Sequence, residues 1–511
     1  MSDRIAIFWP GDYRSLPNET ALSQLEAATQ NLEKALDRLG QKHYRIKGFI
    51  TRPHEAIEKL SNIDDKMIGM YTHWVYGPHT TEGVVGKGNP LLLVSNFSGK
   101  WPGLVGLLNT GACLAAEERA HSRIWSDAQT WDDDEVFLQQ LQKWCDSGTI
   151  SHPDHAIKLP PQPSSKAKSI AQKVASNMAS RRPLALMLGD TSMGMTNGYF
   201  GARKLHKLGF SEHKIDQAWI LDYGKRISDK RIEDAFKFVN DRGVCFHYGE
   251  EGAKDFHADA TREQLRDYLC VLDMVDEFKA DCVGWQYQLG LINQRPPSDF
   301  AEGLLNSICR PEGNGAVIID ATEADQGNLL PMEMMKRLLD AKGLHHSVAF
   351  HDIRWGLEVE GRFIWVLLNS GSAGAYAYSM NEQTLEGVHS FRQPSQFFPV
   401  PGGTFSGRSL PGQITWARAW LDGDEPVMDI GHGEVVDVAP DVLKKMWQGT
   451  TPQWPIMSAD LGLSRDSLMA HYMSNHIAVA YGDIFDEMAE LSRLQGYRVR
   501  YLNDDEVTCP R

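Results

Sequence analysis

Ile5-Ala6-Ile7-Phe8-Trp9 is an unbroken apolar run, and after it Leu22, Leu25, Leu32, Leu36 and Leu39 recur at helical spacing until Gly40. A short apolar strand followed by an amphipathic helix with a glycine stop is the opening of a β-α unit. The alternation continues. Residues 67–72, 90–95 and 123–125 read as strands, with helical runs near 54–61, 103–119 and 134–147. Apolar strands separated by amphipathic helices predict a parallel sheet covered on both faces.

Leu159-Pro160-Pro161-Gln162-Pro163-Ser164-Ser165 then interrupts the pattern. Prolines at this density cannot continue a helix and make an extended spacer. A second α/β alternation follows, with strands at 184–188, 217–221 and 316–321 and helices near 228–240, 260–279, 298–308 and 332–341. After about residue 345 the strands become short (363–368, 413–421, 427–430, 434–438). Glycine-containing turns at Gly371, Gly402-Gly403 and Asp422-Gly423 separate them. Such texture predicts an antiparallel sheet or barrel. A last helix over 484–493 has Asp483 as a candidate cap and stops before Gly496. The expected fold is α/β: two N-terminal doubly wound α/β domains (1–160 and 161–345), then a C-terminal β-rich, antiparallel barrel-like domain (346–511).

Composition narrows the function. The 511 residues, 42% hydrophobic and 23% charged, are ordinary for a globular protein. A formal charge of −15 argues against a nucleic-acid partner, which needs a basic footprint. The seven cysteines (113, 145, 245, 270, 282, 309, 509) are scattered, odd in number and form no C-x-x-C pair, which reads as free thiols in a reducing compartment and not as a disulfide framework or zinc knuckle. No apolar stretch approaches a bilayer span and the amino end has no signal-like core, so no membrane partner and a cytoplasmic location are expected.

Three potential metal ligands stand at the edges of strand-like runs: Glu323 after Ala316-Val317-Ile318-Ile319-Asp320-Ala321-Thr322, Asp352 within Phe350-His351-Asp352-Ile353-Arg354, and His476 before Ile477-Ala478-Val479-Ala480. Two carboxylates and one imidazole suit Mn²⁺ or Mg²⁺ better than a structural zinc. Each also has an ordinary explanation. Glu323 can be a helix N-terminal acid, Asp352 can pair with Arg354, and a lone His is commonly a satisfied core residue. Glu323 directly follows a strand, and in open α/β sheets ligands collect at the carboxyl ends of strands. The Gly189–Met195 stretch has the wrong spacing for a dinucleotide loop, His471 and His476 are five apart and cannot share a zinc-protease helix face, and neither a G-x-S-x-G elbow nor a P-loop occurs. Trp74 at a strand end can stack on a sugar face or simply pack.

Nine segments in order resemble the L-fucose isomerase family. They are Trp74-Val75-Tyr76-Gly77, Thr191-Ser192-Met193-Gly194-Met195, Phe246-His247-Tyr248-Gly249-Glu250, Gly284-Trp285-Gln286-Tyr287-Gln288 and Ala301-Glu302-Gly303-Leu304-Leu305-Asn306-Ser307, followed by Ala321-Thr322-Glu323, Phe350-His351-Asp352-Ile353-Arg354, Leu368-Asn369-Ser370-Gly371-Ser372-Ala373 and Ser474-Asn475-His476. The resemblance implies an aldose–ketose isomerase, two α/β domains with a β-rich third, and a homo-oligomer, often a hexamer. It implies a divalent ion (Mn²⁺, or Mg²⁺ or Co²⁺) on Glu323, Asp352 and His476, with Glu323 and Asp352 catalytic. Trp74, Gln288, Ser370, Asn475 and Arg14 are the implied substrate contacts. The implied substrate is L-fucose or D-arabinose, or another deoxy or C6-substituted hexose. Two departures, Phe405 in place of a tyrosine and Ile456-Met457-Ser458 in place of a second tryptophan after Trp454-Pro455, are expected among sugar-contacting positions. Arg14, Lys225, Arg226 and Arg408 are candidates to meet an anionic group. A metal-dependent aldolase or epimerase, or a non-catalytic sugar-binding protein, are the alternative classes.

Overall fold

The computed structural model describes residues 4–98, 100–190, 194–251, 253–369 and 373–504. Ser370, Thr191, Ser192, Met193, Gly371, Ser372 and Cys509 lie outside the described residues. The first unit is a five-stranded parallel sheet of β1 (Arg4–Pro10), β2 (Lys42–Ile50), β3 (Lys66–Tyr71), β4 (Leu91–Asn96) and β5 (Ser122–Ser126), in the order β2-β1-β3-β4-β5. β1 is buried over Ile5–Pro10 because helices cover both faces. The helix Ser15–Arg38 buries Leu25, Leu32 and Leu36, but Leu22 faces solvent, so the expected leucine stripe is narrower.

β6 (Ile157–Lys158) ends the first stretch. The second sheet is parallel, with β7 (Leu184–Leu188), β8 (Ser211–Ile215), β10 (Cys282–Trp285) and β11 (Ile319–Thr322) in the order β11-β10-β7-β8, while β9 (Cys245–Phe246) lies apart. The expected strand over 217–221 is instead the short helix Trp219–Tyr223. Its place is taken by β8, Ser-Glu-His-Lys-Ile, an edge strand whose outer residues are exposed and which carries no apolar run to reveal it. The expected strand over 316–321 begins only at Ile319.

The third unit holds β12 (Val348–Val359), β13 (Arg362–Leu368), β14 (His389–Ser390), β15 (Gly412–Asp422), β16 (Glu425–Val435), β17 (Met457–Asp460), β18 (His476–Tyr481) and β19 (Arg498–Leu502). Six of them run β15-β18-β12-β13-β17-β16, and β16 pairs back onto β15, closing an antiparallel barrel. β19 and β6 extend the sheet beyond β16. The two segments read as separate strands at 427–430 and 434–438 are one strand, β16. Gly431 and Gly433 inside it look like a break but serve close packing. A Cβ on Gly431 would lie 2.2 Å from the Trp416 ring, and one on Gly433 would lie 2.1 Å from the Asp460 carbonyl oxygen. The Asp422-Gly423 turn joins β15 to β16 with Gly423 at φ +55°. The last helix is Phe485–Leu494, with Ile484 at its cap position and no side-chain cap bond, so Asp483 does not cap it; Gly496 follows at φ +94°.

Among the described residues no helix is long and apolar enough to cross a membrane, and the six described cysteines are free.

Candidate active site

One turn organises the site. β11 ends at Thr322, and the next two residues, Glu323 and Ala324, have φ of +60° and +52°. Neither is glycine, so each left-handed residue costs on the order of 1–2 kcal/mol. Tyr287 (φ +32°) and Leu289 (φ +68°), on either side of Gln288, repeat the pattern after β10. Four of the nine described non-glycine residues with positive φ thus flank one pocket, and strain held this way clusters at functional positions.

The strained turn aims Glu323 inward and sets Asp325 to start the helix Gln326–Lys342, where Asp325 Oδ1 accepts from the Gly327 amide at 2.8 Å. Asp325 Oδ2 meets His476 Nδ1 at 2.7 Å and pairs with the fully buried Arg418. His476 opens β18 directly opposite Asp352 of β12, and cross-strand partners share a face of the sheet. Its amide donates to Ser474 Oγ at 2.9 Å, fixing the start of the strand. His476 Nε2 stands 2.8 Å from Asp352 Oδ1 and 3.7 Å from Glu323 Oε2. Arg354 sits where the β12–β13 register slips, and its guanidinium lies 3.0 Å from Asp352 Oδ2.

Arg14, Trp74, Gln288, Glu323, Asp352 and His476 line a single pocket with Arg354, Asn369, Phe397, Phe398 and Trp454. Arg14 follows β1 and Trp74 follows β3, the two adjacent strands at which the first sheet reverses its winding. Gln288 and Glu323 follow β10 and β11. Four lining residues therefore lie past the carboxyl ends of parallel strands, and the barrel supplies the rest. Arg14 is held by Asp12 (Nη2 to Oδ2, 2.7 Å), reaches Gln288 Oε1 at 3.2 Å, and stacks 5.1 Å from the Phe397 ring centre. Arg354 lies 5.0 Å from the Trp454 ring centre.

Asn475 donates from Nδ2 to Asp352 Oδ1 at 3.1 Å, so it positions Asp352. The two departures lie away from the pocket wall. Phe405 is wholly buried against Phe300, 5.6 Å between ring centres, and Ile456 is wholly buried too. Of the anion candidates, Lys225 and Arg226 are exposed and each lies 3.5 Å from Asp222, while Arg408 pairs with Asp437. Only Arg14 reaches the pocket. Sequence reasoning missed Asp325 and Arg418, and it named Arg354 only as an ion-pair partner of Asp352, a contact that is present. Asp325 carries the pattern of a helix N-cap, and nothing local in Arg418 signals a partner 93 residues away.

Electrostatics separate the acids. Burial pushes the Glu323 carboxyl up to about 8, against the pull of His476. Burial acts the same way on Asp352, but Arg354 and His476 outweigh it and hold Asp352 below the usual range. Asp325 is pulled down to about 2, since Arg418 and His476 overcome its burial. His476 is raised to about 9 by Asp352 and Asp325 despite burial. A cationic imidazole between carboxylates is the charge balance of this site without an ion.

The donor set fits a hard divalent cation. Two cis ligands at about 2.1 Å from an octahedral ion lie about 3 Å apart, close to the 2.8 Å and somewhat below the 3.7 Å separations at His476 Nε2. Glu323 Oε2 is buried with no hydrogen-bond partner among the described residues. A carboxylate behind the far nitrogen of the imidazole, here Asp325, is the usual support of a ligating histidine. The three residues are not drawn tight, however. Among the described residues, the one group of His, Cys, Asp or Glu with ligand atoms all within 4.8 Å of one another is Cys245, His247 and His389, elsewhere in the molecule.

Residues 367–503 match the family model of the L-fucose isomerase C-terminal domain. Over part of its length the chain is similar to proteins named L-fucose isomerase. It is 28% identical to the L-fucose isomerase of Phocaeicola vulgatus, over 45% of this chain and 46% of that protein. It is 27% identical to that of Vibrio vulnificus, over 63% and 64%, and 25% identical to that of Haemophilus influenzae, over 59% and 58%. These alignments span about half to two thirds of the relatives' length.

The Asp325–Arg418 pair gives a stability prediction. Removing one partner of a buried pair leaves the other charge uncompensated, so Asp325→Asn is expected to destabilise by about 3 kcal/mol. Urea unfolding followed by circular dichroism measures it, and an unchanged midpoint would show that the pair contributes nothing.

Proposed function

We propose that this protein is a metal-dependent aldose–ketose isomerase acting on an open-chain monosaccharide. The observation that carries the reading is Glu323, Asp352 and His476 gathered in one pocket with Arg14, Trp74 and Gln288. The relatives named L-fucose isomerase support the same reaction class.

The reaction moves a proton between C1 and C2, and its barrier is the weak acidity of the carbon and the charge that develops on oxygen. Glu323, Asp352 and His476 would hold Mn²⁺, or Mg²⁺ or Co²⁺, and such an ion would supply Lewis-acid polarisation of the sugar's oxygens. Glu323 is the proton carrier. Its carboxyl, lifted by burial when no ion is bound, would be held ionised by the cation and so could take a proton at one carbon and return it at the next. Asp352, kept ionised by Arg354, serves as ligand and as second carboxylate of the proton transfer. His476 acts through the ion alone, oriented by Asp325. Arg14 and Gln288, already joined, present donors to sugar hydroxyls, and Trp74, Phe397 and Trp454 supply apolar walls that limit water. L-fucose or D-arabinose, or another deoxy or C6-substituted hexose, is the substrate class, and a homo-oligomer, a hexamer by resemblance, is the proposed assembly.

The test is incubation of purified protein and Mn²⁺ with a panel of aldoses in D₂O, followed by NMR. Ketose carrying deuterium is expected for one member of the panel. Carbon–carbon cleavage would establish an aldolase and a stereoisomeric aldose an epimerase. Binding without turnover would leave a sugar-binding protein. Ketose without deuterium would replace the enediol path with a hydride shift.

A further inference from the structure

A second group of metal-ligating side chains lies outside the pocket wall. β9 and β14 form a two-stranded parallel ribbon, with Cys245 opposite His389, which is also bridged to Ser406 on its other edge. Cross-strand partners share a face, and His247, two residues beyond Cys245, returns to it. The ribbon therefore carries Cys245, His247 and His389 on one side. Cys245 Sγ lies 3.7 Å from His247 Nε2, which lies 3.0 Å from His389 Nδ1, and all three ligand atoms fall within 4.8 Å of one another. Ligands at about 2.3 Å (sulfur) and 2.0–2.1 Å (nitrogen) from a tetrahedral ion are roughly 3.3–3.6 Å apart, so small shifts would bring this group onto one centre.

A second observation points the same way. His247 Nδ1 stands 2.7 Å from Glu250 Oε1. A carboxylate there keeps the proton on Nδ1 and turns the Nε2 lone pair toward Cys245 and His389, as in metal-bound histidines. The His247 ring is held flat against Phe391, 4.0 Å between centres. Cys245 is exposed and the two histidines are partly buried, so an ion has a path in from solvent.

We propose that Cys245, His247 and His389 form a second cation site, for an ion that prefers thiolate and imidazole, such as Zn²⁺, with solvent in the fourth position. Binding transfers the Cys245 thiol proton to solvent, and the thiolate and two neutral imidazoles donate electron pairs to the ion. The ion would clip β9, in the second α/β unit, to β14, from which the chain runs on through Arg392 (Nη1 to the Phe398 carbonyl, 2.8 Å) to Phe397 and Phe398 of the pocket wall. The site is independent of the proposed isomerase reaction.

Titration of metal-free full-length protein with Co²⁺ tests it, because a thiolate–Co²⁺ charge-transfer band arises from sulfur ligation and not from an oxygen and nitrogen site. One band-forming equivalent per chain is expected in the wild type and in Glu323→Gln. It should vanish in Cys245→Ser, weaken in His389→Ala, and be displaced by Zn²⁺. No band, or an undiminished band in Cys245→Ser, would overturn the site. In wild type alone, Zn²⁺ should also slow alkylation of Cys245, read by peptide mass, by about an order of magnitude. Equal alkylation with and without Zn²⁺ counts against the site as directly as a missing band.

Discussion

Glu323→Gln is expected to lower kcat by about 10³-fold or more while leaving the chain folded. Glutamine keeps the shape of the side chain but can neither carry the proton nor supply an anionic ligand. The fold should tolerate it, because Glu323 Oε2 makes no hydrogen bond among the described residues and its buried charge is a burden without an ion. The pH dependence gives a second readout on metal-free protein. The folded carboxyl is lifted to about 8 by burial, above its ordinary range near 4.3. Between those values the folded state binds a proton that the unfolded chain has released, so this group's contribution to stability falls as pH rises. Glu323→Gln should lack that decline, making its stability less sensitive to pH from about 5 to 8. Activity like the wild type would remove Glu323 from the chemistry. An identical pH slope in the two proteins would mean that its charge is not buried.

Stripping divalent ions with a chelator is expected to lower aldose–ketose turnover at least about a hundredfold, and added Mn²⁺ should restore it. Without an ion, His476 balances the surrounding carboxylates as an imidazolium, which leaves no Lewis acid for the sugar carbonyl. Ion binding must therefore release the proton on Nε2, so recovery with Mn²⁺ should weaken toward acid pH. Asp325→Asn should weaken Mn²⁺ affinity by roughly 10–100-fold through loss of the carboxylate behind His476. Full turnover in metal-free protein would refute the role given to all three ligands.

Much of this was legible in the sequence because the informative elements are locally patterned. β1, β4 and β7 are apolar runs, and Glu323 ends a strand visibly. What escaped was set by tertiary contact. β8 is a polar edge strand that gives no apolar signal. The split reading of β16 came from Gly431 and Gly433, which exist to admit Trp416 and Asp460. Asp325 reads as an ordinary helix cap until Arg418, Asp325 and His476 are brought together from three distant segments. Phe405 shows the opposite error, since similarity of position suggested a sugar contact where the ring packs against Phe300.

The most direct measurement is an anomalous difference map from crystals of the protein loaded with Mn²⁺, collected near the manganese edge. One strong peak about 2.1 Å from Glu323, Asp352 and His476 Nε2 is the predicted result. A catalytically active Mn²⁺-loaded crystal whose peak lies elsewhere, or which has none, contradicts the assignment.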